Sequence, residues 1–379
     1  MIKVLFIHNK LVCGGAEQAL YDLLCLMDKT KFDITLLVQY DGGIWEDKFR
    51  DAGFNIISIW DCQKVSRNPL MKVRNWYKRK QIVQALERDG EGLLKACGLG
   101  DAFDLIVAYN GSTLQKMCFS GQAKTVKYIH GDVGTNELFR KNTLAIRPYL
   151  ERFARIICVS EIAKKSFVEV TGISENVLAY HNPLNSDNIA RLSQAEVDMP
   201  SDVPLICAVG RLSEEKGFDR LIRIHKRLYD EGLRHKLVLV GDGPERESLE
   251  ETIRSIHAED SVIMVGYQGN PYPYIKISSF LVCPSYTEGL SIVAMEALFL
   301  GIPVVASVPT IGELFGDEKC GLITENDDAS LEAGVRRMLT DAEFYNRAKG
   351  SALRRSTYFD GHRMVREIEE EFISLIEGN

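Results

Sequence analysis

No stretch of roughly 18 to 20 uninterrupted apolar residues occurs in this sequence, so nothing in it reads as a bilayer-spanning helix. There is no CxxC pair either. The nine cysteines (13, 25, 62, 97, 118, 158, 207, 283 and 320) stand singly, several inside apolar runs such as RIICVS and LICAVG. They read as small reduced hydrophobes rather than a disulfide frame or a zinc site. HExxH, GxSxG and DxD are missing, which leaves zinc hydrolysis, serine acyl transfer and metal-bridged sugar transfer without their parts. The GxGxxG fingerprint and the GxxxxGK[ST] loop are also missing, which disfavours an NAD-binding first domain and a Walker-type phosphate loop. No low-complexity tract or short tandem repeat suggests a solenoid. The opening MIKVLFIHNK is too short and strand-like for a signal peptide, so the expectation is a cytosolic protein.

What is present is a chain of 379 residues, 45% hydrophobic and 26% charged, suited to two globular domains with a cleft between them. Its net charge of −7 is unevenly spread. Residues 1–183 hold 25 basic against 20 acidic residues, and the remainder 21 against 33. Much of the positive excess lies in residues 64–80, where Lys64, Arg67, Lys72, Arg74, Lys78, Arg79 and Lys80 are interleaved with Leu70, Met71, Val73, Trp76 and Tyr77. Two readings stay open: a segment suited to an anionic membrane at its inner, cytosolic face, or a solvated helix with a few apolar residues tucked into the core.

Short β-rich runs alternate with helical patterns: VLFIH, ITLLVQ, NIISI, LIVAYN, VKYIH and RIICVS in the first half, each followed by a polar or helical stretch. After a polar segment the pattern restarts with LICAVG, KLVLVG, VIMVG, FLVCPS, IPVVAS and GLIT. This is the pattern of parallel sheets with helical crossovers, and it predicts an α/β protein of two Rossmann-like domains, 1–183 and 184–355, followed by an amphipathic helix within 356–379. In such sheets ligands sit beyond the carboxyl ends of the strands.

The chemistry is sought there. PSYTEGLSIVAMEALFLGIPVVAS, residues 284–307, predicts a strand, a turn and a helix from Leu290 to Leu300 that is apolar almost all round apart from Ser291 and Glu296. A carboxylate inside such a helix is costly without a polar partner, so Glu296 reads either as paired to an internal cation or as an acceptor for ligand hydroxyls. Glu288 stands just before the helix, and the N–H groups of Gly289, Leu290 and Ser291 open a helix N-terminus suited to phosphate. At a rise of about 1.5 Å per residue, Glu296 lies roughly 8 Å further in, a spacing that suits a ribose beside a diphosphate. Arg211 and Lys216, in AVGRLSEEKGFDRLI, offer cationic cover for a pyrophosphate. VLVGDGPERESL adds a Gly-rich turn at Gly241, and IHNKLVCGGAEQAL places Gly14 and Gly15 before a helix. His130 closes VKYIH at a strand's carboxyl end, where it reads as a substrate-binding residue.

The E-x7-E pair (Glu288 and Glu296), the GRLSEEKGF loop, the VGDGP turn and the GGAE loop, in this arrangement, resemble the family 4 glycosyltransferases of GT-B fold. The resemblance runs over nearly the whole chain and is most specific over residues 205–307. It implies two facing Rossmann-like domains that close on substrate, a C-terminal helix crossing back to the first domain, and metal-independent transfer with retention of configuration. Residue by residue, it implies that Arg211 and Lys216 hold the diphosphate, Glu296 the ribose hydroxyls and Glu288 the donor sugar. Leu290 and Ser291 would give backbone N–H groups to phosphate, Gly15 would approach the diphosphate, and His130 would sit near the sugar. The base would lie near the GDGP turn and Tyr267. Where the family often has EGFG this chain has EGLS, which bears on donor choice. The function expected is a hexosyltransferase using a UDP-sugar and a glycan or lipid-linked acceptor. A sugar-nucleotide epimerase or hydrolase, and a non-catalytic nucleotide-sugar-binding partner, are the competing readings.

Overall fold

The computed structural model describes residues 1–12, 14–60, 69–87, 92–100, 103–110, 118–119, 121–199 and 202–378. Two compact units divide the chain, one of residues 1–183 with 362–379 and one of residues 184–361.

The first unit is built on seven strands: β1 (Ile2–His8), β2 (Phe32–Tyr40), β3 (Asn55–Trp60), β4 (Leu105–Ala108), β5 (Lys124–Ile129), β6 (Arg155–Cys158) and β7 (Val177–Ala179). They lie in the order β3-β2-β1-β4-β5-β6-β7, and every pairing is parallel. Apolar runs rather than alternation are what a sheet covered on both faces requires, and Val4, Leu5 and Phe6 are all fully buried. The strand order reverses between β1 and β4, which sets the carboxyl ends of these two strands at a switch point. β7 has no counterpart among the six expected runs. With three residues it falls below the length at which a strand pattern can be read, and it is defined by pairing with β6. The helix Gly361–Glu377 belongs to this unit: Val365, Ile368 and Phe372 join the core of Val4, Phe6 and Tyr128. Glu369 Oε1 accepts from the Asp28 N–H at 2.6 Å, and Arg155 Nε donates to Glu371 Oε1 at 2.6 Å.

The second unit holds β8 (Leu205–Val209), β9 (Lys236–Val240), β10 (Val262–Gly266), β11 (Phe280–Cys283), β12 (Val304–Ala306) and β13 (Gly321–Ile323). Their order is β10-β9-β8-β11-β12-β13, again parallel throughout, with the switch point between β8 and β11. The helix after β11 runs over Ile292–Phe299, starting two residues later than its apolar pattern suggests. Ser291 is its N-cap, with Oγ accepting from the Ala294 N–H at 3.3 Å, so the hydroxyl that looked helical instead starts the helix. Ala294, Met295, Ala297 and Leu298 are fully buried, as a helix apolar all round must be.

Among the described residues no helix is long and apolar enough to cross a membrane. The described cysteines are all free, and all but Cys25 are buried. Cys13 and Cys62 lie outside the described residues.

Candidate functional site

The loops that leave β8 and β11 meet at the switch point of the second unit. After β8 the chain passes through Gly210 and Arg211 into a single 3-10 turn, Glu214–Lys216, and then the helix Phe218–Asp230. This turn carries Lys216 to the loop after β11, where its Nζ donates to Glu288 Oε1 at 2.6 Å. Ser285 Oγ donates to the same oxygen at 2.9 Å. Burial pulls the Lys216 ammonium down, but the Glu288 carboxylate more than offsets this, and its pKa is raised above the ordinary lysine value. The pair is partly open to solvent, with side chains 27% and 13% exposed.

Behind the pair lies Arg220, only 2% exposed. Its Nε and Nη2 donate to the Pro284 carbonyl at 2.8 and 2.6 Å, and Nη2 also reaches the Ser285 carbonyl at 3.0 Å, Ser307 Oγ at 2.8 Å and Asn326 Oδ1 at 2.9 Å. Its guanidinium carbon stands 4.1 Å from the centre of the Tyr286 ring. One buried cation thus ties down the loop on which Ser285 and Glu288 stand, satisfying the buried Pro284 carbonyl and sharing the Ser285 carbonyl with Ser307 Oγ, which donates to it at 2.8 Å.

Two glycines allow the loops to approach so closely. At Gly217 (φ 64°) a Cβ would strike the Pro284 carbonyl, and at Gly241 (φ 149°) one would strike the Gly210 carbonyl. The VGDGP turn after β9 is therefore seated directly on the loop after β8, with the Leu212 N–H donating to the Asp242 carbonyl at 3.0 Å. Arg211 is exposed in this loop and forms no ion pair among the described residues. Leu290 and Ser291 are buried at the start of the Ile292–Phe299 helix, and Gly289 is partly buried just before them. Glu296, one turn further along, is 4% exposed. Tyr267, after the edge strand β10, is half exposed.

The corresponding end of the first unit has a different character. β1 ends in His8, Tyr109 follows β4 and His130 follows β5, so three rings stand on three neighbouring strands. The Tyr109 ring centre is 6.4 Å from that of His8 and 4.5 Å from that of His130. His130 Nε2 lies 2.9 Å from the Tyr109 carbonyl, which requires the N–H on Nε2. Nδ1 is then left as an acceptor, and it is buried with no hydrogen-bond partner among the described residues. Burial, then Lys127 and His8, push His130 down to about 3. Burial likewise lowers His8 to about 4, against a backbone contact at Lys10.

Beneath the loop before the helix Gly15–Leu26, Glu17 Oε1 lies 3.5 Å from His8 Nε2, and burial raises its carboxyl to about 7. Both shifts favour the uncharged forms, so below pH 7 this contact is a neutral one rather than an ion pair. Gly15, the first residue of the helix, is exposed.

Of the second-unit residues singled out from sequence, Lys216 and Glu288 are thus brought into contact in the fold and Gly241 is stacked against the loop that carries Arg211. Gly15 and His130 lie in the first unit. Four further residues were not anticipated. Arg220 could have been suspected as a charged residue two positions into a helix whose neighbours Leu221, Ile222 and Ile224 are all buried. Ser285 gave no such signal. His8 carried one, since VLFIH and VKYIH end alike, and Glu17 was already visible in GGAE.

Residues 191–355 match the family model described as glycosyl transferases group 1. Over 374 residues the chain is 26% identical to the N-acetylgalactosamine-N,N'-diacetylbacillosaminyl-diphospho-undecaprenol 4-alpha-N-acetylgalactosaminyltransferase of Campylobacter jejuni, covering 96% of this chain and 97% of that one. It is 28% identical over 215 residues to the lipopolysaccharide core biosynthesis glycosyltransferase LpsD of Rhizobium meliloti, covering 55% and 61%. Among solved structures, HepE of Anabaena in complex with UDP and glucose superposes with a TM-score of 0.77 at 19% identity, over 99% of this chain and all of that one. With a parallel Rossmann-like sheet in each unit the chain has the GT-B fold, and its residues 191–355, which hold the Lys216–Glu288 site, are similar to the glycosyl transferases group 1.

Proposed function

We propose that this glycosyltransferase is a family 4 hexosyltransferase, which moves a hexose from a UDP-sugar to a glycan or lipid-linked acceptor, with retention of configuration and without a metal ion. Its setting is the synthesis of a surface polysaccharide or glycoconjugate at the cytosolic face of a membrane. The observation that carries the reading is the Lys216–Glu288 pair at the switch point, partly open to solvent, on a loop fixed from behind by Arg220. A cation held in this way meets a diphosphate without reorganising, which is how electrostatic preorganisation lowers a barrier. The absence of DxD accords with charge neutralisation by side chains and N–H groups in place of a bridging metal.

In this reading Lys216 and the exposed Arg211 neutralise the diphosphate, together with the N–H groups of Gly289, Leu290 and Ser291. Glu296 accepts from the ribose hydroxyls and Glu288 from the hexose. The base lies by Gly241 and Tyr267. In the first unit, Gly15 is a donor-binding residue and the neutral Nδ1 of His130 accepts from a sugar hydroxyl. The acceptor oxygen attacks the anomeric carbon on the face from which the diphosphate departs. The carbon–oxygen bond to the diphosphate breaks, its electron pair stays on phosphate oxygen, and the acceptor's proton passes to that leaving group. No protein nucleophile is consumed.

HepE supports the donor class, since it is described with UDP and glucose, and the Campylobacter relative supports the acceptor class, since its name specifies a diphospho-undecaprenol glycan. The test is a mass-spectrometric screen of the purified protein against UDP- and GDP-sugars, with and without lipid-linked acceptors. Transfer that depends on acceptor and proceeds in EDTA supports the proposal. Donor conversion without acceptor would point to an epimerase or hydrolase, and donor binding with no turnover against any acceptor to a non-catalytic partner.

A further inference from the structure

The helix Pro69–Glu87 carries the basic segment of the first unit. Lys64 and Arg67, and the side chain of Lys72, lie outside what is described, but the stretch from Val73 to Ala85 is clear. One face is spent on the unit's core, where Ile82 and Ala85 pack with Ile59, Leu93 and Leu94. At 3.6 residues per turn, Val73, Trp76, Tyr77, Lys80 and Val83 fall together on the opposite face. That face is exposed: Val73 by 65%, Trp76 by 61%, Tyr77 by 57% and Val83 by 45%. Val73, Trp76 and Tyr77 are therefore not tucked into the core, and the side chains of Leu70 and Met71 lie outside what is described. Arg74 and Arg79 flank the stripe, Lys80 sits within it with Nζ 5.6 Å from the centre of the Trp76 ring, and residues 62–86 contain no Asp or Glu.

We propose that this face of the helix Pro69–Glu87 docks on an anionic lipid surface, lying along it with Trp76 and Tyr77 at the headgroup level. Charge selects the occupant. An uninterrupted positive flank complements anionic headgroups, and amphipathic rings settle at a membrane interface. The position of Lys80 argues against a protein partner. Within a protein–protein contact a lysine in the middle of the apolar stripe would be desolvated, and lysine is depleted there, whereas at a bilayer it extends its ammonium to the headgroups while its stem stays among the rings. The stripe spans about 15 Å from Val73 to Val83, enough for reversible attachment beside a lipid-borne substrate.

The experiment uses the full chain, with no nucleotide or acceptor, and phosphatidylcholine vesicles with or without phosphatidylglycerol, so failure here leaves the donor reading untouched. Co-sedimentation is expected only with phosphatidylglycerol. It should weaken about fivefold for each of Arg74→Gln, Arg79→Gln and Lys80→Gln, and fall away at high salt. Brominated lipid should quench part of the tryptophan emission, and that part should vanish in Trp76→Phe. All four positions are exposed, so thermal midpoints should match wild type. Vesicle binding that ignores phosphatidylglycerol, or that survives the triple Gln variant unchanged, overturns the proposal. So does a dimer that ignores vesicles and is dissolved by Trp76→Ser with Tyr77→Ser, because the face would then be a contact between copies of the chain.

Discussion

At the ends of β8 and β11 the second unit gathers ions, whereas at the ends of β1, β4 and β5 the first unit gathers groups that burial has made neutral. The sheets share a plan: parallel strands, a switch point and a helix N-terminus beyond it. They differ in what accompanies desolvation. Lys216 keeps its charge because Glu288 is 2.6 Å away, and Arg220 is spread over four acceptor groups. His8 has only the Glu17 carboxyl at 3.5 Å, which burial itself shifts toward the uncharged form, and His130 faces Lys127 and His8, so both pKa values fall well below neutrality. A charged ligand such as a diphosphate fits the first arrangement, and uncharged hydroxyls fit the second.

The comparison breaks most visibly at Arg220. Replacing it with Leu strands the buried Pro284 carbonyl and removes a donor from Ser285, Ser307 and Asn326, and the unfolding free energy should drop by about 3 kcal/mol or more, read from urea midpoints. A loss below about 1 kcal/mol would mean that the loop is held by something else. Next in size, Glu296→Gln should weaken UDP binding by roughly 10- to 100-fold, the range for a hydrogen bond to a charged group. Wild-type affinity would remove Glu296 from the ribose.

Smallest is a pH effect in the first unit. Burial raises the Glu17 carboxyl in the fold to about 7, above its ordinary value of 4.5, so its contribution to stability is complete below pH 4.5 and lost as pH rises through 7. Glu17→Gln keeps the neutral shape and removes that loss, so the variant should gain on wild type between pH 5 and 8, by about 1 kcal/mol or more. A difference between the two that does not vary with pH would show Glu17 to be charged in the fold. The depressed histidines act at the other end: stability from His8 and His130 is present above pH 6.5 and is lost as pH falls toward about 4 and 3.

Much of this was legible in the sequence, for physical reasons. Strands buried on both faces write themselves as apolar runs, and VLFIH or KLVLVG need no partner to be recognised. β7 was not legible, because Val177–Ala179 is a strand only by virtue of pairing with β6. The start of the Ile292–Phe299 helix was obscured because Leu290 is as apolar as the helix itself, and only the Ser291 cap marks the boundary. Within the site, Lys216 and Glu288 stood out singly as charges beside apolar segments. Their pairing did not, since 72 residues separate them and the contact depends on the switch-point geometry. Arg220 was missed because two of its four acceptors are backbone carbonyls, which every residue has, and the other two, on Ser307 and Asn326, lie far along the chain. His130 was noticed for its place at a strand end, while its neutrality follows from burial that no sequence pattern records.

The division of labour is tested most directly by calorimetric titration of UDP into wild type, Lys216→Ala and His130→Ala. The account predicts a loss of roughly 100-fold or more for Lys216→Ala, the scale of removing a preorganised charge donor, and an affinity within about twofold of wild type for His130→Ala. Unchanged UDP affinity in Lys216→Ala, or a greater loss in His130→Ala, would contradict it.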